Sequence, residues 1–327
     1  MEIRITANEN GKTVRELMRG VLGFSAAHLR HLKFLEQGIL VNGARVTVRY
    51  VLREGDLLTL AAEDLDTPEK LLPVDLPLAI AYEDDDLVIP NKSADMPTHP
   101  SCGHYEDTVA NALAFRYAEQ GIPFVFRPIS RLDRNTSGLL TVARNRIAAA
   151  RLTRAMQAGT IRKRYVAILC GVPASDGGII ETYQRRTAES VILRENCLPD
   201  EGGDLARTHY RVLCRSEDYS LVYAEPLTGR THQLRVHFAG LGCPILGDDL
   251  YGVPSDDIGR HALHSCMLSL PLPSTGRRIS VWADLPDDMR DFAVKAFGED
   301  VLTRAMRTCL ETAFEDFKNQ SGEVVLK

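Results

Sequence analysis

The sequence predicts an α+β protein in which a small module precedes a larger domain. The chain has 327 residues, which as a prior corresponds to about two domains. Its composition is that of a globular protein, with 44% hydrophobic and 25% charged residues. Short extended segments alternate with helical ones without strict β-α-β order, which favours a mostly antiparallel or mixed sheet.

Several protein classes are excluded at this stage. No window approaches the roughly 18 uninterrupted apolar residues that a transmembrane helix needs, and the amino terminus lacks the apolar stretch of a secretory signal. The seven cysteines are scattered and form no C-x-x-C pair, so neither a disulfide framework nor a four-cysteine zinc site is expected. We therefore expect a soluble cytoplasmic protein.

The first module spans residues 1–62. Apolar residues recur at helical spacing in two segments, and Asn42-Gly43 between two apolar runs is a hairpin signal. The predicted elements are helices over 13–22 and 25–37 and strands over 39–41, 46–51 and 57–60.

Three further regions follow the module. Residues 63–76 are acidic and contain prolines, as in an exposed linker. Residues 77–285 form the larger domain, and residues 286–327 form an acidic, mainly helical tail. Within the domain we predict strands over 79–82, 87–89, 139–143, 165–170, 210–213 and 221–224 and helices over 108–120, 146–158 and 231–241.

The charge is unevenly distributed. The whole chain carries −5, whereas residues 127–164 hold ten basic residues and one acid, a net charge of +9. Such a segment indicates either a polyanion-binding face or a solvated basic surface.

One phrase places a carboxylate between cations. Arg131-Leu132-Asp133-Arg134-Asn135-Thr136-Ser137-Gly138 precedes an apolar strand. Flanking cations keep an aspartate ionised, as a nucleophile or base requires. The alternative is a turn aspartate that accepts hydrogen bonds from backbone amides.

Two more phrases are candidates for chemistry. Tyr165 heads a strand directly after Arg162, Lys163 and Arg164, and it is either a core residue or a phenol used for proton transfer. Arg230 lies in a turn before a helix, where it is either an anion ligand or a surface residue.

The glycine-rich nucleotide loops and the metal-binding helix motif are not found in the sequence. His261, His264 and Cys266 lie close together without an evident fourth ligand. For these three residues we favour packed or hydrogen-bonded positions over a metal site.

The module and the domain each resemble a known family. The order helix–helix–hairpin, with the phrase G-I-L-V-N-G and basic residues along it, is similar to the alpha-L RNA-binding module of a small-subunit ribosomal protein. The ordered phrases R-L-D-x-x-T-S-G, K-x-Y and G-R-T-H-Q-L-R-V-H resemble the RluA-type pseudouridine synthases. That likeness extends over most of residues 80–285.

The resemblance implies a role for each site residue. It implies Asp133 as the nucleophile, Tyr165 as the proton-handling partner and Arg230 as the ion-pair partner of Asp133. Leu234 would pack in the pocket, and Arg131 would enter the gap left by the target uridine. We expect the substrate-binding set to be Arg131, Arg134, Leu234, Arg162, Lys163 and Arg164. We expect no metal and no cofactor.

The chain departs from the family pattern at two positions. Asn91-Lys92-Ser93-Ala94-Asp95 stands where the family commonly has N-K-P-x-G, and Ser130 stands where histidine often precedes R-L-D. The first departure leaves the conformation of its loop open.

The predicted activity is RNA pseudouridine synthesis, an isomerisation, by a monomer that acts on ribosomal rather than transfer RNA. A synthase acting on transfer RNA and a non-catalytic RNA-binding or ribosome-assembly protein remain alternatives. A glycosidase, which generally needs two carboxyl groups at a set spacing, is a third.

Overall fold

The computed structural model describes residues 2–22, 24, 26–61, 71–318 and 322–326. Residues 62–70, which include residues 63–70 of the predicted linker, lie outside this range. None of the helices in the described ranges is long and apolar enough to cross a membrane.

The front module has its own sheet and its own apolar core. Its four-stranded sheet has the order β1-β4-β2-β3, and Leu17, Leu32 and Leu58 lie in the separate core beneath it. The elements are β1 (Glu2–Arg4), α1 (Val14–Glu16) continued by a π-helical stretch (Leu17–Val21), α2 (Ala26–Leu32), β2 (Ile39–Val41), β3 (Ala44–Arg45) and β4 (Leu57–Leu60).

The hairpin of the module is shorter than predicted. Asn42 and Gly43 have φ of 52° and 80°, as a two-residue hairpin turn requires. The strand predicted over 46–51 is wrong, because β3 ends at Arg45. The carbonyls of Val48 and Tyr50 instead accept hydrogen bonds from the backbone at the start of α1, both at 2.9 Å.

Helix α2 also stops early, at Leu32 rather than at Gln37. The backbone N–H of Gly38 donates to the carbonyl of Leu35 at 3.2 Å. A Cβ at Gly38 would overlap the Leu32 carbonyl, so only glycine lets the chain fold back this closely on the helix end.

The large domain is built on one mixed sheet of 13 strands, which confirms the predicted α+β class. The main order is β12-β11-β13-β14-β10-β15-β8-β6-β9-β7, with β5 beside β6 and β16 between β15 and β17. All pairings are antiparallel except β8–β15 and β16–β17. The strands are β5 (Ala79–Glu83), β6 (Leu87–Lys92), β7 (Arg127–Pro128), β8 (Ser137–Leu139), β9 (Val142–Ala143), β10 (Arg162–Cys170), β11 (Gly177–Arg186), β12 (Arg194–Cys197), β13 (Asp204–Arg215), β14 (Tyr219–Pro226), β15 (Leu263–Pro271), β16 (Arg278–Trp282) and β17 (Gly322–Leu326).

Helices cover this sheet and extend its core. They are α3 (Val109–Glu119), α4 (Arg146–Gln157), α5 (Gln233–Gly240), α6 (Asp287–Phe297) and α7 (Glu299–Lys318). The segment after residue 285 packs on the domain: Phe292 and Leu302 belong to its main apolar core, and Phe292 meets Tyr219 edge-to-face at 5.0 Å. It is helical to Lys318, as predicted, and then adds strand β17.

Candidate active site

Three segments that are distant in sequence meet at the centre of the large sheet. Strand β15 lies between β8 and β10. Its parallel pairing with β8 opposes Ser137 to His264, and its antiparallel pairing with β10 opposes Tyr165 to Ser265. The loop before β8 carries Asp133, so the pairing brings Asp133 and Tyr165 to the same part of the sheet.

These segments line a cleft of about 590 Å³ together with the start of α5. Asp133, Tyr165 and Leu234 all line it. Arg131, Arg162, Lys163 and Arg230 line it as well. Arg134 and Arg164 do not.

The loop that carries Asp133 is held by contacts to its backbone. Thr98 Oγ1 donates to the Leu132 carbonyl at 3.0 Å and accepts from the Leu132 N–H at 3.2 Å. The Lys92 ammonium donates to the Arg134 carbonyl at 2.8 Å, and an Arg260 N–H donates to the Asn135 carbonyl at 3.2 Å. The position of Asp133 is therefore set by partners on each side of it.

Glycine is required at the start of β8. Gly138 has φ of 109°, and a Cβ there would overlap the backbone of Ser265 on β15. Any larger residue would push β8 away from β15 and would move the Asp133 loop with it.

Arg235, rather than Arg230, is the arginine that faces Asp133. Arg235 Nη1 lies 3.9 Å from Asp133 Oδ2. Arg230 instead donates from Nε to the Leu205 carbonyl at 3.0 Å and lies 3.8 Å from the exposed Asp204 carboxylate. The predicted Arg230–Asp133 ion pair is wrong, because the turn before α5 directs Arg230 to the rim of the cleft.

The Arg235 guanidinium is fixed by a second carboxylate. Both Arg235 and Asp248 are almost fully buried, and the guanidinium grips Asp248 with two hydrogen bonds of 2.7 and 2.6 Å. Burial opposes the charge of Arg235, yet the hydrogen bonds and charge of Asp248 raise its pKa above the usual value. Arg235 is thus a permanently charged group held beside Asp133.

His232 is the second neighbour of Asp133. Its Nε2 lies 3.9 Å from Asp133 Oδ2, and its side chain is 11% exposed. Burial lowers the pKa of His232, although the charge of Asp133 opposes that shift. The imidazole is therefore neutral at any pH above the ordinary histidine pKa of 6.5.

Tyr165 is buried beside the same carboxylate. Burial raises the pKa of its phenol well above the ordinary value, and the charge of Asp133 adds to the effect. The phenol therefore stays protonated at neutral pH, so it can donate a hydrogen bond or a proton but cannot act as a phenolate base.

Part of the predicted basic surface is neutralised. Arg164, only 2% exposed, lies 3.3 Å from Glu225 and over the ring of Tyr223. Arg162 also pairs with Glu225, through Nη2 at 3.1 Å. The substrate-binding role predicted for Arg164 is wrong, because Arg164 is buried against Glu225. Strand β14 thus supplies a neutralising carboxylate from outside residues 127–164.

The second carboxylate in the cleft does not suit glycosidase chemistry. Among the described residues the cleft is lined by two acids, Asp133 and Glu225. Burial opposes ionisation of Glu225, but the hydrogen bond from Arg162 and the charge of Arg164 hold its pKa below the usual range. Glu225 is thus a fixed anion and not the proton donor that a two-carboxylate mechanism needs.

Arg134 also has an acidic neighbour outside the cleft. Its Nε lies 3.4 Å from the Asp95 carboxylate, and its Nη1 lies 3.3 Å from His104 Nε2. Arg131 is exposed on the cleft rim. Lys163, partly buried, has no carboxylate within 4 Å in the part of the chain that the structure describes.

Comparisons with known proteins identify the family of the chain. Residues 86–240 match the family model for RNA pseudouridylate synthases. The chain is 39% identical to the RNA pseudouridine synthase YjbO of Bacillus subtilis over 85% of its own length and 96% of that protein. It is 36% identical to the ribosomal large subunit pseudouridine synthase D of Vibrio cholerae, covering 85% of this chain and 88% of that one.

The chain belongs to the RNA pseudouridine synthase family. A solved structure, the human RNA pseudouridylate synthase domain containing 1, is similar with a TM-score of 0.53 and 30% identity over 64% of this chain and 83% of that one. The enzyme is therefore an isomerase that modifies RNA.

The loop at residues 91–95, where this synthase departs from the family pattern, has at Asp95 a backbone conformation that glycine adopts readily. Asp95 has φ of 59°, in the left-handed region that aspartate tolerates better than most residues. Its carboxylate faces Arg134, whereas Lys92 turns inward. Burial and the charge of Arg260 lower the pKa of Lys92 to about 7, which the charges of Asp133 and Asp95 oppose.

The histidine and cysteine cluster is hydrogen-bonded, as we favoured from the sequence. His261 Nε2 lies 2.8 Å from Thr136 Oγ1, and His264 Nδ1 lies 2.9 Å from Ser137 Oγ. Cys266 contacts the Arg164 carbonyl at 3.4 Å. The two histidines anchor β15 to the segment that follows Asp133.

Sequence reasoning missed three residues that shape the synthase site: Lys92, Arg260 and Arg235. Arg235 was overlooked because the left-handed turn at His232, directly before α5, decides which arginine faces Asp133. Lys92 and Arg260 carried no local signal, because each acts on a backbone carbonyl far away in sequence.

Proposed function

We propose that Asp133 is the nucleophile with which this synthase converts uridine to pseudouridine in ribosomal RNA. The observation that carries the proposal is the cleft in which Asp133 lies beside buried Tyr165 and charged Arg235. The glycosidic bond from the ribose to the uracil nitrogen breaks, the base rotates, and a ring carbon takes its place. The bond that Asp133 forms to the ribose or to the base breaks again and frees the carboxylate. The ring carbon loses a proton and the nitrogen gains one.

Arg235 and Tyr165 have separate parts in this reaction. Arg235 places a fixed positive charge beside the carboxylate that attacks either the ribose or the base. Tyr165, held protonated by burial, donates a hydrogen bond or a proton to the departing or returning base. Leu234, which is 5% exposed, forms the apolar wall against which the base rotates.

The target uridine has to leave its stack to reach Asp133. Extruding a base costs a few kcal/mol, which contacts in the pocket and a substituting side chain offset. Exposed Arg131 on the cleft rim is the residue we assign to the vacated position. Lys163 and Arg230 on the cleft wall bind the flanking phosphates.

The front module supplies further affinity for the RNA backbone. Four exposed cations surround a groove of about 170 Å³ on its surface: Arg15, Arg19, Arg30 and Lys33. Among the residues that the structure describes, no acid lines this groove. Phe34, the residue after Lys33, is 81% exposed, and an exposed aromatic ring can stack on an unpaired base. Arg154 of α4 donates to the Arg19 carbonyl at 3.0 Å, which ties the groove to the large domain.

Ribosomal RNA is the proposed substrate because of this module and of the relatives named ribosomal large subunit pseudouridine synthase D. The monomeric state and the cytoplasmic location stay predictions.

Product analysis tests the proposal. Ribosomal and transfer RNA from cells that lack this gene are incubated with the enzyme, and nucleosides are quantified by mass spectrometry. We expect pseudouridine to rise in ribosomal RNA only, and not with Asp133→Asn. A rise confined to transfer RNA would refute the substrate, and unchanged nucleosides would favour a non-catalytic RNA-binding protein.

A further inference from the structure

His232 has a backbone conformation that is uncommon for its residue type. Its φ is 58°, in the left-handed region, directly before the first residue of α5. Non-glycine residues stay in this region only where their surroundings hold them, and they concentrate at functional sites. The same residue lines the cleft and faces Asp133.

A tyrosine outside the cleft holds the other side of the imidazole. His232 Nδ1 lies 2.8 Å from the Tyr251 hydroxyl, and the two rings meet edge-to-face at 5.6 Å. The same hydroxyl accepts a hydrogen bond from the backbone N–H of Arg194 at 2.9 Å. The contacts therefore run from the β12 backbone through Tyr251 and His232 to Asp133.

The direction of these hydrogen bonds follows from the donors available. The Arg194 N–H can only donate, so the Tyr251 oxygen accepts there and its own proton is free to bind His232 Nδ1. A neutral imidazole with Nδ1 as acceptor carries its proton on Nε2. That Nε2–H points to the side on which Asp133 lies, 3.9 Å away.

The charges around the imidazole are consistent with this arrangement. Burial lowers the pKa of His232, as do the charges of Arg235 and Arg194, whereas Asp133 and Asp248 raise it. His261 is a further titratable neighbour, and the charge of a protonated His232 lowers its pKa.

We propose that His232 is a positioning residue whose Nε2–H, together with Arg235, orients the Asp133 carboxylate, and that Tyr251 fixes the required tautomer. This proposal rests on the proposed role of Asp133. The present separation of 3.9 Å exceeds a hydrogen bond. Such contacts shorten when substrate fills a site and water leaves.

Three variants test the proposal by single-turnover kinetics at saturating RNA. His232→Phe removes the donor and should lower the rate by about 10- to 100-fold with little change in RNA affinity, since misplacing a reacting group has this effect. His232→Gln places an amide N–H near the Nε2 position and should recover part of the rate. Tyr251→Phe should lower the rate too, although Tyr251 does not line the cleft.

The double variant separates positioning from a packing role. His232→Phe with Tyr251→Phe should be no slower than His232→Phe alone, because both changes remove the same contact. Tyr82→Phe is the matched control. It also loses a hydrogen bond from a phenol, which donates to Asp84 at 2.9 Å, but Tyr82 does not line the cleft. Additive losses, or a change in RNA affinity alone, would overturn the proposal.

Nitrogen NMR of histidine-labelled protein gives a readout that does not depend on activity. The His232 signals are those that the wild type shows and His232→Phe lacks. Their chemical shifts should be those of a neutral ring protonated at Nε2. A proton on Nδ1 would overturn the tautomer assignment. If the wild type formed no pseudouridine, the proposed function would fail, while this spectrum would still decide the tautomer.

Discussion

Replacing Arg235 should slow the reaction, whereas replacing Arg230 should weaken RNA binding. The two arginines lie five positions apart and both line the cleft. The guanidinium of Arg235 is 4% exposed and is fixed between Asp248 and Asp133, whereas the Arg230 side chain is 40% exposed at the rim. Matched substitutions by glutamine therefore test which of the two supports Asp133, the proposed nucleophile.

The structure gives the expected magnitudes. Arg235→Gln leaves a buried Asp248 carboxylate unpaired, which costs about 3–5 kcal/mol of unfolding free energy. Loss of the charge beside Asp133 should lower kcat by about 10²- to 10³-fold, as for a removed preorganised donor. Arg230→Gln breaks an exposed pair and should change the unfolding free energy by about 1 kcal/mol at most.

Urea denaturation and release of tritium from carbon-5-labelled uridine measure these quantities. Arg235→Lys keeps the charge without the two-pronged contact, so it provides a folded variant with a smaller loss of kcat if Arg235→Gln does not fold. Arg230→Gln should keep kcat and should reduce the salt dependence of RNA binding by about one phosphate contact. The reasoning is refuted if Arg230→Gln loses as much kcat as the Arg235 variants, or if Arg235→Lys turns over at the wild-type rate.

Three further predictions concern the phenol, the front module and the pH dependence of stability. Tyr165→Phe should fold normally and turn over about 10²-fold more slowly at saturating RNA, and a near-normal rate would return Tyr165 to a core role. Deleting residues 2–61 should weaken RNA binding and flatten its dependence on salt, and an unchanged salt slope would contradict RNA binding by the module. The free energy of unfolding should fall as the pH drops from 6.5 to about 4, because burial lowers the pKa of His237 and His264 to about 4 and that of His261 to about 3. The unfolded chain then takes up protons that the folded chain does not, and urea titrations with equal midpoints at pH 7 and 4.5 would contradict this.

Local patterns predicted most of the fold. Helices α3 and α4 lie within one residue of their predicted bounds, because capping residues and apolar spacing act within a few positions. The hairpin strand over 46–51 failed because its carbonyls bind the backbone of α1, a contact between segments about 35 residues apart. Strands β11 and β15 were not predicted, and β11 alternates buried and exposed residues only partly.

Some residues that line the cleft could be identified from the sequence, but their pairings could not. Asp133, Tyr165 and Leu234 were identified by ordered phrases, and all three line the cleft. Which arginine faces Asp133 depends on the left-handed turn at His232, which the sequence does not reveal. The burial of Arg164 depends on Glu225, an acid about 60 positions away, so a charge count over residues 127–164 overestimates the free basic surface.

Asp133→Asn tests the central claim most directly. Asparagine keeps the size and most hydrogen bonds of aspartate, but it removes the charge and is a poor nucleophile. Filter binding and tritium release are measured on the same carbon-5-labelled RNA, with circular dichroism as the check on folding. The account predicts a folded variant that binds RNA at least as tightly as the wild type and releases no detectable tritium. Tritium release near the wild-type rate from that folded, RNA-binding variant would contradict the assignment of Asp133 as the nucleophile.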